Sequence, residues 1–220
     1  MAVTTVVFDV GETLVDETRH WGEWADWIGV PRLTFFAVLG DVIARGEHHR
    51  QVFQRIRPSF DVERAEAQRK AEGWRYQFEP GDFYPDALPC LVDLRARGYR
   101  IGLAGNQPHE AEPALAAAGV PADFIASSAR WGVEKPSPAF FERVVEAAGC
   151  PAGQIAYVGD RLDNDVLPAA NAGMIAVFIR RGPWGYLHAT RPEAARATLR
   201  IDTLTELAPA LASLGDAHGR

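Results

Sequence analysis

The chain has 220 residues, 47% of them hydrophobic, and a formal net charge of −6. It is long enough to bury a substantial core, and with no Lys/Arg block it is too acidic for a polyanion-binding face, so nucleic acid is not an expected partner. Cys90 and Cys150 belong to no C-x-x-C pattern, no apolar run approaches the ~20 residues of a membrane span, and the N-terminus lacks the basic residues and long apolar run of a secretory signal, so a cytoplasmic protein without a disulfide framework or thiolate zinc site is expected. Only two of the 23 basic residues are lysines, Lys70 and Lys135.

The apolar, β-branched run 3–8 is short and unalternating, which suits a strand buried on both faces of a parallel sheet, and it ends on Asp9, with Gly11 close behind. Asp9 is either a turn cap or, because open α/β sheets present their chemistry at the carboxyl ends of strands, a site residue; this stretch alone leaves both open. From 17 to 79 the pattern is helical and carries no strand signal. One helix holds Trp21, Trp24 and Ile28 before the break at Gly29-Val30-Pro31, a second spans 33–46, a third holds Val52, Phe53 and Ile56 before Pro58, and a fourth spans 62–72 before Gly73. The tryptophan spacing reads as core packing in preference to a substrate pocket, and His48-His49 as a solvated pair in a turn.

Beyond residue 82 strands and helices alternate. A helix over 86–97, with Leu88, Leu91, Val92 and Leu94 inward, closes at Gly98, where a left-handed C-cap is needed, and a strand over 99–104 ends at Gly105-Asn106. A helix over 110–118, a short strand over 124–126, and a helix over 139–148 introduced by Ser137-Pro138 follow. The strand over 155–158 ends at Gly159-Asp160; a helix over 166–172, strands over 175–179 and 199–201, and a helix over 204–214 complete the chain. Repeated β-α units predict an α/β fold, a doubly wound parallel sheet covered by helices on both faces, with a helical domain inserted after the first strand. The expected domains are a core from 1–16 and 80–220 and an inserted block at 17–79.

Asp9, Asn106, Lys135, Asp160 and Asp165 fall at or just beyond strand ends, which share one edge of a parallel sheet. Carboxylates from two strands can converge there on a hard cation beside one lysine. That constellation suits phosphoryl transfer, with a carboxylate nucleophile, a divalent ion and a cationic clamp. Asp163 is read only as favouring a helix start, and an EF-hand reading of the same acidic run fails on spacing.

At this point the chain resembles the haloacid dehalogenase superfamily of phosphohydrolases over nearly its whole length. Phe8-Asp9-x-x-x-Thr13-Leu14 is similar to the first motif, Gly105-Asn106 falls at the second, Val133-Glu134-Lys135-Pro136 at the third, and Gly159-Asp160 through Asp165 at the fourth. The resemblance implies a Rossmannoid core with a helical C1 cap at 17–79, catalytic Asp9 and Lys135, phosphate binding by Gly105, Asn106 and Lys135, and Mg²⁺ held by Asp9, the carbonyl of Gly11, Asp160 and Asp165. Two departures stand out. The family's phosphatases usually carry a second Asp two positions after the nucleophile as general acid and base, and here that position is Gly11, beside Glu12 as a rival for the role; the hydroxyl usual in the second motif is replaced by Gly105. Lys70, alone among lysines in the inserted block, lies in a helix too polar to lower its pKa for Schiff-base chemistry. The expected function is a Mg²⁺-dependent phosphohydrolase of a small phosphorylated metabolite acting through an aspartyl-phosphate, weakened or altered by Gly11. The alternatives are a dehalogenase-like hydrolase of a non-phosphate bond and a catalytically retired binding or regulatory protein.

Overall fold

The computed structural model describes residues 2–218, the last three as backbone only. It divides into two compact units, Met1–Asp16 with Gln77–Arg220, and Glu17–Tyr76. Residues 1, 219 and 220, which the sequence assigns to the core, lie outside the described residues.

Strand β1 (Thr5–Phe8) is buried throughout. The unit that interrupts the chain after it consists of helices α1 (Thr18–Ile28), α2 (Arg32–Ala44), α3 (Gln51–Ile56) and α4 (Val62–Ala71). Gly29 ends α1 in the left-handed conformation, and the chain turns through 114° into α2. The Asp61 side chain starts α4 by accepting the N–H of Arg64 at 2.9 Å. Trp21, Trp24, Phe35 and Phe53 are buried together with ring centroids 4.9 to 6.4 Å apart, so the tryptophan stripe is core, as its spacing indicated. The histidine pair departs from expectation: His48 is exposed, but His49 presents its ring edge to Trp21 at 5.6 Å, because the turn before α3 faces it inward.

The rest of the chain forms α5 (Ala87–Ala96), β2 (Arg100–Gly105), α6 (Ala111–Ala117), β3 (Phe124–Ser127), α7 (Ser128–Trp131), α8 (Pro138–Ala148), β4 (Ile155–Gly159), α9 (Leu167–Asn171), β5 (Ile175–Ile179), α10 (Gly182–His188), β6 (Leu199–Ile201) and α11 (Leu207–His218). Its six strands make one parallel sheet in the order β3-β2-β1-β4-β5-β6, with Val7 of β1 opposite both Gly102 and Tyr157. Alternation along β1 feeds two cores. Val6 and Phe8 join Leu91 and Leu94 of α5 and Leu207 and Leu211 of α11 on one face, while Val7 joins Phe140, Phe141 and Val144 of α8 on the other. Burial of each such side chain stabilises the fold by about 1.5–3 kcal/mol, which anchors β1, and the residue that follows it, between its neighbours.

Three local expectations are corrected. Val92 is 58% exposed, because the inward stripe of α5 runs through Ala87, Cys90, Leu91 and Leu94 and puts residue 92 on the opposite side. The helix expected from 166 begins at Leu162 in a π-helical turn over Leu162–Val166 that continues into α9. Helices α7 and α10 were not legible; α7 is started by Ser127 Oγ, which accepts the Arg130 N–H at 3.2 Å. Where the chain leaves and rejoins the sheet unit, the Asp16 N–H donates to the Asp82 carbonyl at 2.7 Å, the Tyr84 N–H to that of Leu14 at 3.0 Å, and Val15 bridges Phe83. Among the described residues, no single helix is long and apolar enough to cross a membrane.

His188, at the end of α10, is 2% exposed, and its Nδ1 accepts the Leu162 N–H at 3.1 Å. Burial, and then the charge of Arg191, lower its pKa from 6.5 to about 4. Between those values the unfolded chain binds the extra proton, so the stability contributed by neutral His188 is complete above about pH 6.5 and is lost as the pH falls through about 4. His188→Asn, which keeps an acceptor near Nδ1 but does not titrate, is expected to flatten urea-unfolding stability against pH across this window; a slope equal to that of the parent would refute the assignment.

Candidate active site

Asp9 follows β1 directly, and its N–H extends the ladder by donating to the Val158 carbonyl at 2.9 Å. Asp160 follows β4, and Asp165 lies in the π-helical turn beyond it. Lys135 comes from the segment before α8, and its ammonium spans two of these carboxylates, 2.7 Å from Asp9 Oδ1 and 2.6 Å from Asp165 Oδ1. Asp165 Oδ2 in turn accepts the Arg161 N–H at 3.0 Å. The Asn106 side chain clasps the Lys135 backbone from both sides, accepting its N–H at 2.8 Å and donating to its carbonyl at 2.9 Å. The resemblance implies phosphate binding by Asn106; its amide side chain also fixes the lysine.

One ammonium therefore bridges two of the three buried carboxylates that cluster here. Burial alone would lower the Lys135 pKa, but Asp165 and Asp9 override it and hold the ammonium charged well above the ordinary lysine value. Asp165 is raised to about 6 by burial against the opposing pull of Lys135. Asp160 is pushed well above the ordinary carboxylate range by burial and then by the charges of Asp165, Asp9 and Glu12, and its Oδ2 is buried without a hydrogen-bond partner. Asp9, Asp160 and Asp165 bring one oxygen each within 4.8 Å of one another. An unpaired carboxylate oxygen in a hard, all-oxygen donor set fits a divalent cation such as Mg²⁺.

This cluster overturns the expectation of activity weakened or altered because Gly11 replaces a second Asp. The acidic groups of the centre are drawn from two other chain segments, at Asp160 and Asp165, and do not depend on the position two beyond Asp9. The alternatives built on the same departure lose that support, since the carboxylates that could hold a cation are all present without a carboxylate at position 11. Gly105 has a structural cause. A Cβ there would fall onto Asp9 Oδ1, so this strand end must be glycine for the Asp9 carboxylate to keep its place.

Glu12, the rival for the acid/base role beside Gly11, is held by residues that carry no sequence signal. Glu12 is buried with φ +53, an unusual conformation for a non-glycine residue, and its Oε2 accepts the Tyr84 hydroxyl at 2.6 Å. Its carboxylate lies so close to Gly182 that a Cβ there would overlap it. Arg181 stacks over the Tyr84 ring at 4.2 Å, donates to the Thr13 carbonyl at 3.0 Å, and pairs with Asp86 Oδ2 at 2.5 Å. The turn after the candidate nucleophile is thus held by residues some 70 and 168 positions away, which no local pattern reveals. Asp163 pairs with Arg161 at 2.7 Å and stays apart from the triad.

A parallel sheet of this order, with carboxylates and a lysine gathered at its carboxyl edge, defines a Rossmannoid hydrolase. A family model for haloacid dehalogenase-like hydrolases matches residues 3–173, and the chain belongs to that family, with a helical cap domain inserted after the first strand. It is 38% identical over 105 residues to the glyceraldehyde 3-phosphate phosphatase of Methanopyrus kandleri, covering 46% of this chain and 45% of that protein. It is 33% identical over 129 residues to the phosphoserine phosphatase of Thermus thermophilus, covering 56% and 49%. The chain thus spans about half the length of the curated relatives it matches. In fold it is similar to a subfamily IA hydrolase from Geobacter sulfurreducens, with a TM-score of 0.69 at 19% identity over 95% of this chain and 96% of the other.

Tyr84→Phe removes the donor to a buried carboxylate and is expected to cost about 1.5–3 kcal/mol in urea unfolding. In a double-mutant cycle with Glu12→Gln the two losses should be clearly non-additive, and simple additivity would show that the pair is not coupled.

Proposed function

We propose that the protein is a divalent-metal-dependent phosphatase of small phosphorylated metabolites in the cytoplasm, with 1–16 and 80–220 as the catalytic core and 17–79 as the cap. The observation that carries this reading is Lys135 spanning Asp9 and Asp165 while Asp160 Oδ2 beside them is left unpaired. Asp9, Asp160 and Asp165, with the carbonyl of Gly11, would hold Mg²⁺, which when bound supplies positive charge to the transferring phosphoryl oxygens. Gly11 enters as a carbonyl donor, and no loss of activity is assigned to it.

Asp9 is the nucleophile. Its carboxylate is the most exposed of the three, with a side chain 10% accessible against 0% for Asp165. Lys135, held charged and in place by Asp165 and by the Asn106 clasp, draws off negative charge as the Asp9–phosphorus bond forms and the bond from phosphorus to the ester oxygen breaks; the alcohol leaves with a proton from water, and a second water hydrolyses the aspartyl-phosphate to release phosphate and return Asp9. Gly105 keeps the space beside Asp9 clear, and the Asn106 N–H is assigned to a phosphoryl oxygen. The relatives named for glyceraldehyde 3-phosphate and phosphoserine make these two compounds the first substrates to try.

Phosphate release from such a panel is expected with Mg²⁺ and not with chelator, and Asp9→Asn should abolish it. In the absence of turnover, Mg²⁺ should raise the melting temperature by mass action. Asp160→Asn should remove that shift while stabilising the metal-free protein by ~1–3 kcal/mol, since it replaces an unpaired buried carboxylate with a neutral group. Release that is indifferent to chelator, or an undiminished magnesium shift in Asp160→Asn, would contradict the reading.

A further inference from the structure

The helical unit holds a second polar cluster, which the chemistry at the sheet edge does not use. Arg69 of α4 is 3% exposed, and its guanidinium lies between the indoles of Trp24, at 4.1 Å, and Trp74, at 4.7 Å. The two faces of the cation are satisfied by aromatic contact, but its edge is not. Nη1 is buried without a hydrogen-bond partner, and the carboxylate oxygen Glu23 Oε2 lies 3.6 Å from Nη2, too far for a hydrogen bond. Glu23 is engaged elsewhere. Its Oε1 pairs with Arg19 at 2.5 Å and its Oε2 accepts the Trp74 indole N–H at 3.0 Å.

Two guanidiniums thus share one carboxylate. His20, beside Trp21 and Trp74, adds no charge at neutral pH, because burial and then Arg69 hold its pKa at about 4. Glu66, whose charge also acts on Arg69, is itself paired with Arg50 at 2.8 Å, and Nη1 of Arg69 is left without a partner at a group removed from water. A structural arginine at such a site would turn its five donors to carbonyls or carboxylates, since an unpaired buried cation is costly.

We propose that the edge of Arg69 is a binding site for an oxyanion, a carboxylate or phosphate group held in the guanidinium plane between Trp24 and Trp74. The indoles fix that plane, and an oxyanion meets it with two parallel charge-assisted hydrogen bonds, which the compact ammonium of a lysine cannot imitate. Trp74 is only half-buried, so part of the outer indole lies at the surface. The oxyanion is a free small anion carrying a carboxylate or phosphate group.

Both indoles touch the guanidinium, so tryptophan fluorescence reports the site without any turnover. Titration with malonate should give a saturable change and raise the melting temperature. Arg69→Lys should bind roughly tenfold more weakly, about the loss of one charge-assisted hydrogen bond, and Arg69→Met should not respond. Glu23→Gln removes the competing carboxylate but keeps an acceptor for Trp74, and it should bind malonate more tightly than the parent. No saturable change in the parent, or equal affinity in folded Arg69→Met, would overturn the proposal; if Arg69→Met does not fold, unchanged or weaker affinity in Glu23→Gln would overturn it.

Discussion

The carboxyl edge of the sheet is dominated by a charge imbalance: one ammonium, that of Lys135, among the buried carboxylates of Asp9, Asp160 and Asp165. Such a group of like charges would disperse in a flexible chain, since each is driven toward water and away from the others. It persists because each member is fixed by something other than electrostatics. Asp9 continues a strand hydrogen-bonded on both sides, Asp160 ends the neighbouring strand, and Asp165 is tied through its own carboxylate to the Arg161 N–H. The hydrophobic burial of β1 and β4 therefore opposes the repulsion at their ends. An excess of negative charge held in advance is also what a hard cation needs, because no reorganisation is left to be done when it arrives.

The same logic extends one layer outward. The turn after Asp9 carries a glutamate at positive φ, which on its own is unfavourable. It is stabilised by the Tyr84 hydroxyl, by the room that Gly182 leaves, and by Arg181, which joins the Thr13 carbonyl to Asp86. Asp86 also accepts the Leu204 N–H at 2.8 Å, so the beginning of α5, the end of β5 and the segment leading to α11 are joined behind the site. Lys135 is treated similarly on its other side, where Asn106 fixes the backbone and the buried Tyr157 hydroxyl donates to the Ala104 carbonyl at 2.8 Å.

The sheet and the positions of Asp9, Lys135, Asp160 and Asp165 were legible because both depend on local pattern. Apolar runs of four to six residues mark strands buried on two faces, and the polar residue after each run marks the edge where chemistry is presented. The helix starting at Leu162 was read too late because its first turn is π-helical, a spacing that a period of 3.6 does not describe. Val92 lies outward because Ala87 and Cys90, whose small side chains carry little hydrophobic signal, occupy the inner stripe of α5 with Leu91 and Leu94. The importance of Gly11 was misjudged for a related reason. A motif compares residues at fixed sequence offsets, whereas the acidic complement of this site is set by which strand ends lie side by side. Tyr84, Arg181 and the edge of Arg69 act through contacts that only the folded chain creates.

The paired segments at the helical insertion have an evolutionary meaning. Because Leu14 and Tyr84, Val15 and Phe83, and Asp16 and Asp82 are already joined across the neck, the sheet registers the inserted helices only as a loop whose two ends are fixed beside each other. Closing such a loop costs little more as it lengthens, about 0.6 kcal/mol for each doubling. The inserted block can therefore be shortened, enlarged or exchanged for one of different character while the register of β1 against β2 and β4, and with it the spacing of the carboxylates, is left undisturbed. Selection is free to vary the helices on a timescale separate from that on which it preserves the carboxylate edge.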